Sequence, residues 1–106
     1  QDIALLDARK GIDMFNKMNT PIIGLIENMS THICSNCGHI EHIFGHGGVT
    51  KEAKKLGAPL LAEIPLHIDI RTTSDGGAPI VVSRSNSEHA GIFRTLARHL
   101  IATGQA

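Results

Sequence analysis

Apolar residues at Leu5, Ala8, Ile12, Phe15 and Met18 recur at spacings of three and four, which predicts a helix with one apolar face. Asp2 and Asp7 near its start and Lys17 near its end suit the helix dipole. Asn19-Thr20-Pro21 ends it, because the residue before a proline is pushed out of the α region. The pattern then changes. Residues 22–26, IIGLI, are apolar without alternation, which predicts a strand buried on both faces, as in a parallel sheet. A buried helical turn is the alternative for so short a run. Polar residues begin at once with Glu27-Asn28. They would lie at the carboxyl end of the strand, the edge where open α/β sheets bind ligands.

A loop is expected over residues 29–47, followed by a helix marked by Val49, Ala53 and Leu56. Gly57 is its C′ stop and Pro59 lies just beyond. Residues 60–64, LLAEI, predict a second strand ended by Pro65. Residues 67–74 suit a short helix cut by Asp75-Gly76-Gly77, and residues 78–82 read as extended. Ser85 with Glu88 fits a capping box ahead of a last helix, whose apolar face is Phe93, Leu96, Ala97, Leu100 and Ile101 and which stops near Gly104. Alternating units of this kind imply an α/β fold with a parallel sheet and flanking helices. Only two clear strands are present, and such a pair is no independent core. The chain, opening on Gln1-Asp2-Ile3, is therefore expected to be the C-terminal portion of a larger α/β domain, incomplete by itself.

Composition narrows the partners. Formal net charge is zero with neutral histidines, so no electrostatic footprint for nucleic acid or an anionic membrane is present. With three Phe and no Tyr or Trp, base-stacking platforms have little to be built from. No apolar run approaches a membrane span of roughly 18 residues. Two cysteines at C-x-x-C spacing suit a reducing cytoplasm better than a secreted disulfide framework.

Residues 28–48, NMSTHICSNCGHIEHIFGHGG, concentrate the candidate chemistry. They hold Cys34 and Cys37 and four of the seven histidines, His32, His39, His42 and His46. Thiolates are soft ligands for iron–sulfur clusters and zinc, and either normally takes four ligands. One chain supplies only two cysteines. Gly45, Gly47 and Gly48 suit a tight turn into the next helix; Lys51 is not in phosphate-loop spacing to them. His67, His89 and His99 read as surface residues.

QDIALLDARKGIDMF, PIIGLIENMS, ICSNCG, IFGHGG, EIPLHIDIR and EHAGIFRTLARHL together resemble the C-terminal part of the Mrp/ApbC family of iron–sulfur cluster carrier ATPases, deviant-Walker P-loop NTPases. The resemblance runs to about Leu100. It implies a mostly parallel sheet with helices on both sides, a C-terminal fragment (residues 1–106) of one P-loop ATPase domain, and a cluster loop over residues 29–47. It also implies ATP with magnesium in the full-length protein. The family's phosphate loop and magnesium-binding aspartates are not in this sequence, so the fragment alone is expected not to hydrolyse ATP. Asn28 matches the position at which the family reads adenine, and Pro65 and Leu66 match the segment along the adenine ring. Turn-forming for Asn28 and strand termination for Pro65 are adequate structural accounts in themselves.

Three completions of the Cys34/Cys37 pair follow. By resemblance, a homodimer through the C-x-x-C loop brings two pairs around one bridging [4Fe–4S] cluster for delivery to iron–sulfur apo-proteins, with assembly factors as further partners. Zinc is a possible substitute there. Alternatively, one chain makes a structural zinc-binding or interaction module from Cys34, Cys37 and two of His32, His39 and His42, at a spacing unlike the usual pattern. A dithiol oxidoreductase is disfavoured, since no helix is expected directly after Cys37.

Overall fold

A computed structural model describes residues 1–105 of the chain. The elements are α1 (Asp2–Lys17), β1 (Leu25–Ile33), β2 (Ile40–Glu41), α2 (Gly48–Leu56), β3 (Leu60–Leu66), α3 (Ile68–Asp75), α4 (Ile80–Ser83) and α5 (Glu88–Ala102). The sheet order is β2-β1-β3, with β1 parallel to β3 and antiparallel to β2. The α/β class expected from the sequence holds, with the short β2 added.

The helices follow their periodicity. α1 has Asp2 in its first turn and Lys17 in its last, and α2 closes on Gly57 at φ 67°. Arg9 of α1 clasps Glu52 of α2: Arg9 Nε donates to Glu52 Oε1 at 2.8 Å, and Lys55 Nζ stands 3.7 Å from the same oxygen. The Arg9 hydrogen bond holds the Glu52 carboxyl below its ordinary value, against a smaller desolvation effect.

β1 departs from expectation at both ends. Residues 22–24 stay outside it, and it continues through Asn28 to Ile33, into the expected loop. Partners decide this. Asn28 pairs with Ile64 and His32 with Leu66, and Ser30 Oγ donates to the Ile64 carbonyl at 3.2 Å. Nor is Pro65 a strand end, since β3 runs through it to Leu66. The register breaks between Asn28 and His32, where Met29 takes φ 53°, so Pro65 sits opposite an irregular stretch of β1. A residue with no N–H is tolerated at such a break.

Two further corrections concern the C-terminal third. Residues 80–83 form a helical turn instead of an extended segment. Pro79 leads into it at φ −51°, its carbonyl takes the Ser83 hydroxyl at 3.2 Å, and Ile80 is buried. The cap of α5 is Ser87, whose Oγ accepts from the Ala90 N–H at 3.1 Å, and not Ser85. Ser87 N–H bonds the Arg84 carbonyl at 3.0 Å, which keeps Ser85 and Asn86 in a turn before the helix.

The core is small. Ile12, Ala53, Ile64, Pro65, Ile80 and Ala90 are its buried apolar members among the described residues. β1 is not buried on both faces in this chain: Ile26 and Met29 are each 46% exposed. The radius of gyration, 15.1 Å, exceeds the value of about 13 Å expected of a compact domain this long.

Two consequences can be measured. A Cβ at Gly24 would lie 2.5 Å from Leu61 Cγ and 2.9 Å from the Pro59 carbonyl oxygen. Gly24→Ala should therefore destabilise the chain by about 1–3 kcal/mol in denaturant unfolding, as overpacking does. The Glu52 contribution is present above the ordinary carboxylate value of 4.5 and lost as pH falls through the lowered folded value. Arg9→Ala should lower the melting temperature at neutral pH and flatten that acid-side loss, read by thermal unfolding against pH.

Candidate functional site

The C-x-x-C motif forms the tip of a hairpin. His32 pairs with Glu41 and Ile33 with Ile40, and the chain reverses between them. Cys34 N–H donates to the His39 carbonyl, and Gly38 N–H to the Cys34 carbonyl, both at 2.9 Å. Gly38 has φ 75°, a region that side-chain-bearing residues resist, so glycine after the second cysteine lets the turn close. Both cysteines are free; Cys34 is half-buried and Cys37 exposed.

The N–H groups of Cys37 and then Asn36, followed by the Cys37 side chain, hold the Cys34 thiol below its ordinary value, against smaller effects of desolvation and Glu41. Donors aimed at sulfur favour the thiolate, the form that ligates metal and clusters. The donor set thus fits thiolate ligation, with two sulfurs on one tight turn.

The neighbouring histidines do not complete a site. His32 Nδ1 is buried without a hydrogen-bond partner, 3.7 Å from Glu41 Oε2, and His39 Nε2 is 3.8 Å from Glu41 Oε1. His42 and His46 pack edge to face, with centroids 4.5 Å apart. Among the described residues, no group of three or more His, Cys, Asp or Glu side chains is placed to hold a metal ion. The single-chain arrangement of Cys34 and Cys37 with two of His32, His39 and His42 is therefore not assembled.

In the middle of the same strand, Asn28 and Met29 line a cavity of about 280 Å³ with Ala4, Ala8, Ile26 and Phe44. Asn28 Oδ1 accepts the Met29 N–H at 3.0 Å, the local backbone role that asparagine commonly takes. Pro65 and Leu66 lie on the adjacent strand, next to Ile64, the partner of Asn28, and do not line this cavity. Sequence reasoning missed the hairpin, the role of Glu41 between two histidines, and His67. His67 is no surface residue: its side chain is 11% exposed and caps α3.

A family model, ParA: NUBPL iron-transfer P-loop NTPase, matches residues 1–101. The chain belongs to this family. An iron–sulfur cluster carrier protein of Escherichia coli K12 is 55% identical over 102 residues, covering 96% of this chain and 28% of that protein. An iron–sulfur cluster transfer protein, NUBPL, of Mus musculus is 45% identical over 101 residues, covering 95% of this chain and 32% of its own length. The chain thus spans about a third or less of these curated relatives. A solved nucleotide-binding protein from Archaeoglobus fulgidus, in complex with ADP and with cobalt detected, superposes with a TM-score of 0.56 at 34% identity. That match covers 66% of this chain and 29% of the other. The family match agrees with the α/β, nucleotide-binding fold class read from the sequence.

Cys34 should react first with a thiol alkylator. Its rate against pH should reach half-maximum below the ordinary thiol value of 9.0, in line with the lowered thiol. Replacing Cys37 by Ala should raise that midpoint, because it removes the side-chain contribution to the shift. Mass spectrometry of quenched samples reads both.

Proposed function

We propose that this chain is the cluster-holding and base-side portion of an iron–sulfur cluster carrier, with the cluster as cargo. The observation that carries the proposal is the hairpin tip, which presents two free thiols on one tight turn closed by the Cys34 and Gly38 N–H groups. Two thiolates are half of a four-ligand set. A second copy related by a two-fold axis supplies the other half, so Cys34 and Cys37 of two chains would bridge one [4Fe–4S] cluster. Ile40 and Ile43, exposed beside the motif, suit burial at such an interface.

The nucleotide side of the proposal rests on the family and on Asn28. With Oδ1 taken by the Met29 N–H, the Asn28 amide N–H groups remain as donors to a base edge. Pro65 and Leu66, one strand over, are the apolar partners proposed for the ring. Residues 1–106 would then be the C-terminal part of one P-loop ATPase domain, and the apolar surface left open on Ile23, Ile26 and Met29 supports that reading. Phosphate and magnesium contacts would come from outside this sequence, and recipients would be iron–sulfur apo-proteins. No helix among the described residues is long and apolar enough to cross a membrane.

The test is anaerobic reconstitution of the intact protein with iron and sulfide. The expected result is a cluster chromophore at one cluster per two chains, lost in Cys34→Ser and in Cys37→Ser while the fold persists by circular dichroism. One zinc per monomer, whose removal unfolds the chain, would instead favour a structural zinc module.

A further inference from the structure

β3 ends at Leu66 and the chain turns at once into α3. One side chain holds that corner. His67 is extended, with φ −139° and ψ 143°, and its Nδ1 accepts the Asp69 N–H at 3.1 Å. A ring nitrogen that accepts carries no proton, so His67 in this arrangement is neutral, with its proton on Nε2. Against it from α5 lies His89, with ring centroids 4.4 Å apart and planes tilted by 34°.

The charged groups around the two rings come from each element packed there. From α3, Asp69 Oδ2 stands 3.7 Å from His67 Nδ1. From the end of α4, Arg84 Nη1 forms a salt bridge with that same oxygen at 2.7 Å. From α5, Glu88 is the neighbour of His89 in the chain, and β3 carries Glu63 as its one ionisable side chain. Burial first, and the adjacent His67 second, hold the His89 imidazole below its ordinary value; Asp69 and Glu88 oppose this without reversing it.

Protonation decides what this cluster can hold. With both rings neutral, His67 caps α3 and Arg84 holds Asp69. A proton on His67 Nδ1 turns the acceptor into a donor, which can no longer take the Asp69 N–H. The carboxylate beside it, Asp69 Oδ2 at 3.7 Å, is shared with Arg84, so reaching it means shifting the His67 ring away from the Asp69 N–H. Two charged rings at this separation repel, so the pair takes one proton far more readily than two.

We propose that His67 and His89 form a proton-operated latch on the corner between β3 and α3: neutral, the pair caps α3; once protonated, it releases the first turn of that helix. The corner lies at the carboxyl end of β3, the edge on which open α/β sheets bind ligands. Protonation would therefore reshape one wall of that edge, whatever the chain carries there.

An NMR titration of the intact protein with isotope-labelled histidine, from about pH 8 to 5, tests this, with His67→Gln and His89→Gln assigning the two rings. His89 should titrate below the ordinary imidazole value of about 6.5. The Asp69 amide resonance should move in step with the pair, and exchange protection of the first turn of α3 should fall with it. In His89→Gln the Asp69 amide step should move to a different pH, because the neighbouring ring is gone. In His67→Gln the step should vanish. An Asp69 amide that stays fixed while the rings titrate would overturn the latch, as would two rings titrating independently at the ordinary value. If His67→Gln does not fold, the wild-type titration and His89→Gln decide the matter alone.

Discussion

The parallel pairing of β1 with β3, from Leu25 opposite Leu60 to His32 opposite Leu66, is the constraint on which the rest of the chain depends. At its start the strands lie so close that only a glycine fits at position 24, beside Leu61 and the Pro59 carbonyl. In its middle the ladder breaks, with Met29 at positive φ near Pro65, which has no N–H to offer. At its far end the two strands diverge into the two features that carry chemistry. β1 continues into the cysteine hairpin, and β3 turns at His67 into α3.

Polar contacts complete what this small core cannot. The buried apolar set is Ile12, Ala53, Ile64, Pro65, Ile80 and Ala90 among the described residues. Arg9 on Glu52 ties α1 to α2, and Arg84 on Asp69 ties the end of α4 to α3. Both pairs have one partner substantially open to water, where charge pairs contribute little on their own. Their value is directional: each fixes how one helix approaches another where few apolar atoms are available.

Helices α1, α2, α3 and α5 were legible because their signals are local. Spacings of three and four, an acid at the start, a base at the end and Gly57 at the stop are read within one element. The strand limits were not, because partners set them. The change from apolar to polar at Glu27-Asn28 looks like a strand end, yet the Ser30 bond to Ile64 and pairing on both sides carry β1 to Ile33. A two-residue strand such as β2 leaves no periodicity to find. The cysteine pair was legible from spacing alone. What its turn does to Cys34 was not, since that depends on where the N–H groups of Asn36 and Cys37 point once the hairpin closes. His67 was missed for a similar reason: a histidine between a strand and a helix looks like a surface residue until its Nδ1 meets the Asp69 N–H.

The longer β1 alters how the two halves of the proposed site can communicate. Had residues 29–47 been one loop, Asn28 and Cys34 would be joined by a flexible tether, and a change at one need not reach the other. The structure joins them by strand, with Cys34 immediately after its last residue. At roughly 3.3 Å per residue the separation is on the order of 20 Å. A paired strand resists bending except where its ladder is interrupted; the register of β1 on β3 shifts between Leu25 and Ile26 and again between Asn28 and His32, where Met29 follows Asn28 directly. Under the proposed reading, a nucleotide base drawing on Asn28 would act at the edge of the second of these interruptions, and the paired residues His32 and Ile33 beyond it would carry the displacement to the hairpin. Under that reading Met29, at positive φ in an otherwise extended strand, is where β1 would bend.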